Sequence, residues 1–388
     1  MLNVLFVASE AYPFSKSGGL GDVLGALPKA FSEDVDARVI LPYYSTIPEE
    51  LRRKIKPLKH FQMWMSDTLH YCGLLTCQYE GVTFYFIDNE AFFKRPSLYG
   101  YYDDGERFCF FCRAVMDSLP LLDFTPDIIH CNDWQTAAVS YLLKHQYRRA
   151  FPDTKVVFTI HNIRYQGVYG FHDVSPYLHL GFLPSDLEYY GKINLMKGAL
   201  YAADLITTVS PTYAEDLTDP YYGEGLDGVI RHLKHQVVGI LNGIDESIYN
   251  PKTDPALFVP YDNPEKKKAD NKKALQEFFG LPVRADVPML SMITRLVEQK
   301  GLDLVANVIH EILQQDLQLV ILGTGDSVYE HLFRSIAYNY PDKMVTIIDF
   351  DEALSRKIYA ASDFFLMPSK FEPCGLSQMF AMRYGNLP

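Results

Sequence analysis

Along this chain one pattern repeats: a short, β-branched apolar run, a glycine-rich or polar turn, then a stretch with helical spacing. Leu2–Ala8 is the first such run, followed by the loop Ser15–Asp22 and a helix to about Phe31. Arg38–Leu41 is a second strand, and Asp127–Cys131 leads through Asn132 and Asp133 to a helix over Trp134–Arg148. Lys155–Ile160 ends at His161-Asn162, and a helix near Ile193–Ala203 feeds the strand Leu205–Val209. Val237–Leu241 then ends at Asn242-Gly243.

A seam follows. Residues 247–288 are rich in Pro, Asp and Lys and read as a linker carrying a surface helix over Lys267–Phe279. The alternation then restarts with strands at Met289–Thr294, Leu317–Leu322, Met344–Ile348 and Phe364–Met367, and helices from Gly301, Ser327, Glu352 and Gly375. Strands that are apolar almost throughout, alternating with helices, predict parallel sheets covered on both faces. The expected fold class is α/β, with two Rossmann-like, doubly wound domains at residues 1–246 and 289–388. Tyr43–Leu122 fits less well and reads as an insertion in the first domain, with a hairpin over Thr76–Ile87 turned by Glu80-Gly81. Open parallel sheets bind ligands beyond the carboxyl ends of their strands. Two such domains facing one another would share a cleft.

Composition narrows the function. Of 388 residues 48% are apolar and 22% charged, enough for a sizeable core and unlike a disordered chain. The formal net charge of −12 speaks against broad binding to nucleic acid or anionic lipid. The start, MLNVLFVASE, lacks the basic region of a signal peptide, and no apolar run is long enough to span a membrane. The six cysteines need no pairing in a chain this size, and Cys109 and Cys112 read as buried core thiols. The expectation is a reduced, cytoplasmic protein with no metal site.

Any anionic ligand must meet a local cation cluster. Ser15–Asp22 offers Gly18-Gly19 for close backbone approach, helix N–H groups and Lys16 as a mobile cation; the alternative is a flexible strand–helix turn. Thr294–Gly301 places Arg295 and Lys300 around a helix start, which suits a diphosphate and a departing phosphate; the alternative is a solvated basic turn. In Pro368–Ser377, Glu372 stands before a helix opened by Gly375, where a carboxylate can accept sugar hydroxyls and stabilise an oxocarbenium-like charge, or simply complement the helix dipole. The clusters His130–Trp134, His161-Asn162 and Asn242–Asp245 end strands, and together read as polyol recognition. Asp103-Asp104 reads as loop.

Five motifs, Lys16–Asp22 (KSGGLGD), His161–Gly167 (HNIRYQG), Leu241–Asp245 (LNGID), Thr294–Asp303 (TRLVEQKGLD) and Pro368–Leu376 (PSKFEPCGL), together resemble bacterial glycogen synthases and plant starch synthases. The resemblance runs from the first residues to the last and implies the GT-B glycosyltransferase fold. It also implies transfer of glucose from ADP-glucose to the non-reducing end of an α-1,4-glucan such as glycogen, with retention at the anomeric carbon and no cofactor. By the same resemblance, Glu372, Arg295, Lys300 and His161 are catalytic. Lys16, Gly18, Gly19, Asp22, Tyr99, Asp133, Asn162, Asn242, Gly325, Phe350, Cys374, Gly375 and Leu376 contact substrate, Phe350 stacking on adenine. Related transferases often place a second glutamate eight residues after the first; here that position is Phe380.

Family members continue beyond the point matching Pro388, so the resemblance also implies an incomplete second domain and a chain inactive or weakly active alone. Two competing readings are a GT-B transferase of other sugar specificity and a non-catalytic glucan- or nucleotide-binding remnant.

Overall fold

The computed structural model describes residues 1–388, except for the side chains of residues 264–267. The chain divides into two compact units, Met1–Asn242 and Gly243–Pro388.

In the first unit the strands are β1 (Leu2–Val7), β2 (Val35–Pro42), β3 (Lys56–Met65), β4 (Thr68–Tyr79), β5 (Val82–Asp88), β6 (Ile128–Asn132), β7 (Lys155–Ile160), β8 (Val168–Tyr169), β9 (Glu188–Tyr189), β10 (Lys192–Asn194), β11 (Leu205–Thr208) and β12 (Val237–Gly239). Nine of them form one sheet in the order β12-β11-β7-β6-β1-β2-β5-β4-β3, while β8, β10 and β9 make a small antiparallel sheet. From β12 to β5 every pairing is parallel. Leu5, Phe6 and Val7 at the centre are at most 1% exposed, as expected for a strand covered on both faces. The helices Asp104–Ser118 and Trp134–Leu142 pack together, with Phe108 edge-on to Trp134 at 5.4 Å. After Leu142 the helix widens into a π turn ending at Tyr147.

Residues 43–122, expected as an insertion, add strands to the first sheet. β5 pairs in parallel with β2, and β4 and β3 extend the same sheet as antiparallel strands. The expected turn holds: Glu80 and Gly81 have φ of 47° and 83°, the left-handed pair of a tight hairpin. Asp103 lies in the turn expected there, but Asp104 is already helical. They open the helix Asp104–Ser118, half of a buried network in which Arg95 pairs with Asp103 and the fully buried Arg107 with Asp104. The aspartates are buried because each faces a guanidinium.

The second unit has a four-stranded parallel sheet, β13 (Met289–Ile293), β14 (Gln318–Leu322), β15 (Met344–Ile347) and β16 (Phe364–Phe365), in the order β15-β14-β13-β16. Alternation along β14 divides its side chains. Leu319 and Ile321 face the helices Leu302–Gln314 and Ser327–Asn339, whereas Val320 and Leu322 face Leu275, Leu354 and Ile358. Residues 247–288, expected as a linker, pack into this unit. Tyr249, Leu257 and Tyr261 share a core with Tyr359, Phe365, Phe380 and Tyr384, and Lys268 donates to the carbonyls of Tyr359 and Tyr384. Seams look polar in sequence because such lysines and aspartates are spent on capping and pairing. Among the described residues no helix is long and apolar enough to cross a membrane.

Candidate functional site

In the first unit the loop after β1 is organised by a residue that the sequence pattern does not single out. Glu10 is buried, and its carboxylate accepts from the backbone N–H of Ser17 and of Gly18 (3.2 Å), from the Ser17 hydroxyl (2.9 Å) and from the Tyr99 hydroxyl (2.9 Å). Burial raises its pKa against the pull of these donors. The Ser17 and Gly18 N–H groups are thus satisfied within the loop. Lys16 is not mobile: its ammonium lies 2.7 Å from Asp22, and its side chain is 13% exposed. Gly21 makes this possible, since a Cβ there would stand 2.9 Å from Lys16 Cγ. Gly18 precedes the helix Gly19–Ala30, and a Cβ on Gly18 would meet nothing within 4 Å, which leaves its outer side open. The signal that could have found Glu10 is a lone carboxylate directly after an apolar strand.

The ends of β6 and β7 form a second cluster beside it. Asp133 has φ of 56°, a left-handed conformation rare outside glycine, and its Oδ1 accepts the backbone N–H of His161 (2.7 Å) and of Asn162 (3.2 Å). Loss of water raises the Asp133 pKa to about 7, with the neighbouring Glu10 adding to the rise. His161 Nε2 lies 3.0 Å from Asn132 Oδ1, and burial pushes its pKa down to about 3. Gly167 closes the HNIRYQG segment with φ of 65° and lies flat on Trp134; a Cβ would sit 2.5 Å from its ring. Asn242 lies just past β12, two strands from β7 in the sheet, and has no bond to this cluster.

In the second unit three loops interlock at the carboxyl ends of β13, β14 and β16. Gly301 has φ of 66°, and a Cβ on it would lie 1.9 Å from the Pro368 carbonyl oxygen. Gly325 bridges Leu296, and its Cβ would lie 2.3 Å from that carbonyl oxygen. This packing sets Lys300 Nζ 2.5 Å from Glu372 Oε1, which also accepts the Ser369 hydroxyl at 2.7 Å. Thr294, Lys300, Pro368, Ser369, Glu372 and Ser377 line a small pocket there. Arg295 is exposed and has no ion-pair partner among the described residues. Gly375, with φ of 82°, turns the chain from Cys374 into the helix Leu376–Arg383. Phe350 follows β15, at the far edge of the sheet from β16, and is 57% exposed. Phe380 points into the core, stacked 3.8 Å from the Tyr249 ring.

Comparison with known proteins fits both units. A family model described as the starch synthase catalytic domain matches residues 3–232, and one for glycosyl transferases group 1 matches residues 287–387. Glycogen synthases of Anoxybacillus flavithermus and Alkaliphilus metalliredigens are each 51% identical across the whole chain, which spans 81% and 83% of their lengths. The catalytic domain of starch synthase IV from Arabidopsis thaliana, solved with ADP and acarbose bound, superposes with a TM-score of 0.92 at 35% identity, covering all of this chain and 82% of that one. The fold is of the GT-B class, and the chain belongs to the glycogen and starch synthase family of glycosyltransferases.

Proposed function

We propose that this protein transfers glucose from ADP-glucose to the non-reducing end of an α-1,4-glucan, retaining the anomeric configuration, as a step of glycogen synthesis. The observation that carries the reading is the Lys300–Glu372 pair on interlocked, glycine-tightened loops at the end of a parallel sheet. The ADP and saccharide bound to the starch synthase IV neighbour support the donor and acceptor classes.

In this reading the second unit holds the nucleotide. The Arg295 guanidinium and the Lys300 ammonium take the diphosphate oxygens, and their charge stabilises ADP as it departs. The Glu372 carboxylate faces the glucose and stabilises the positive charge that develops at the anomeric carbon. Backbone around Gly325, Cys374, Gly375 and Leu376 approaches the donor closely, and the exposed Phe350 ring offers adenine a stacking face. The first unit supplies hydrogen-bonding groups at Asp133, His161, Asn162, Asn242 and Tyr99, with Lys16, Gly18, Gly19 and Asp22 at the substrate side of the first loop. The cations supply the charge that leaving-group departure requires, so the reading needs no cofactor. Six free cysteines, five of them buried, fit a cytoplasmic setting.

The test is ADP release, coupled to an indicator reaction, with glycogen as acceptor. Release with ADP-glucose that depends on glycogen and exceeds release from UDP-glucose is the expected result. Strict absence of release with either donor would sink the proposal.

A further inference from the structure

We propose that Asn132 is a positioning residue that locks neutral His161 with its proton on Nε2, leaving Nδ1 as an acceptor for a hydroxyl of the bound sugar. Asn132 ends β6 and is 2% exposed. Its side-chain nitrogen donates to the carbonyls of Val7 on β1 and of His130 on β6, each at 3.1 Å. Turned over, the amide would set its oxygen against both carbonyl oxygens. Backbone from two strands, rather than His161 itself, therefore decides where the amide oxygen points.

That oxygen lies 3.0 Å from His161 Nε2. An amide oxygen only accepts, so Nε2 carries the hydrogen, and in a neutral ring Nδ1 keeps its lone pair. The half-buried ring has no second hydrogen-bond partner among the described residues. The surroundings favour the neutral ring. His130, nearby and half-buried, is bonded through Nε2 to the Thr159 hydroxyl at 2.5 Å, and loss of water lowers its pKa to about 4. The backbone N–H of His161 is anchored on Asp133, so the ring and that carboxyl group are set by one local structure. The sugar hydroxyl rests on the transfer reading above; the tautomer is a property of the unliganded chain.

The test is long-range proton–nitrogen NMR on the whole chain carrying nitrogen-15 histidine, with His161 assigned by its loss in His161→Gln. The expected spectrum is that of an Nε2–H tautomer. An Nδ1–H or imidazolium pattern overturns the proposal, whatever the protein's function. The second arm is transfer from ADP-glucose to glycogen. Asn132→Ala should lower the rate about tenfold, the size of one lost hydrogen bond, and should cost nothing further when added to His161→Ala. Independent, additive losses would overturn the positioning role. A wild-type chain that shows the Nε2–H spectrum but transfers no glucose would contradict the function reading and leave the tautomer lock standing.

Discussion

The two units carry their candidate residues in opposite electrostatic settings. In the first, beside the Lys16–Asp22 ion pair, the groups at Glu10 and at the ends of β6 and β7 are pushed toward neutrality: Asp133 up to about 7, His130 and His161 down to about 4 and 3, and Glu10 also upward. Their hydrogen bonds close on one another and on backbone. In the second unit Lys300 and Glu372 face each other as an ion pair, and Arg295 stands in solvent. A preorganised, nearly uncharged surface of donors and acceptors suits a polyol, whereas cations at helix-opening loops suit a diphosphate. A chain of net charge −12 would meet an anionic donor through local cations such as Arg295 and Lys300.

Glu372→Ala should cost the most, lowering transfer by a factor of about 100 to 1,000 while ADP binding, followed by calorimetry, stays near the wild-type value. Gly301→Ala should destabilise the second unit by about 2 kcal/mol or more in chemical denaturation, because alanine is strained at φ of 66° and its methyl would strike the Pro368 carbonyl. Lys300→Ala should weaken ADP binding by about thirtyfold, whereas Asp133→Ala should leave ADP affinity unchanged and depress transfer. Equal loss of ADP affinity in both variants would erase the division of labour.

The smallest effect concerns pH. Folded Asp133 has a pKa near 7, against 3.8 for an ordinary aspartate, so its protonated form favours the fold. The stability it contributes is full below about pH 4 and is lost as pH rises through about 7. Asp133→Asn keeps an oxygen for the His161 and Asn162 N–H groups and removes the titration. Its Tm should therefore gain on wild type across that window; a constant difference between the two melting curves would contradict the burial of this carboxyl group.

Much of this was legible in the sequence. The central parallel strands announce themselves because burial on both faces leaves them apolar throughout, as in β14, where every residue is buried. Glu80-Gly81 signals its turn because glycine tolerates the required φ. β3 escapes notice for the opposite reason: as the sheet's edge it exposes Lys56, Lys59, His60 and Gln62, and a register shift at Pro57 to Lys59 breaks its period. Its turn, Ser66-Asp67, takes left-handed φ without glycine. Glu10 was hidden because its role depends on residues 7 and 89 positions away, Ser17 and Tyr99. The packing of residues 247–288 was hidden because capping lysines look like solvated ones.

Labelled glucose can be followed from ADP-glucose into glycogen, with wild type and Glu372→Ala side by side. Label should enter α-1,4-linked glucan with wild type alone, while both proteins bind ADP. Equal incorporation by both proteins, or none by a wild-type chain that binds ADP and glycogen, would contradict the proposed transfer.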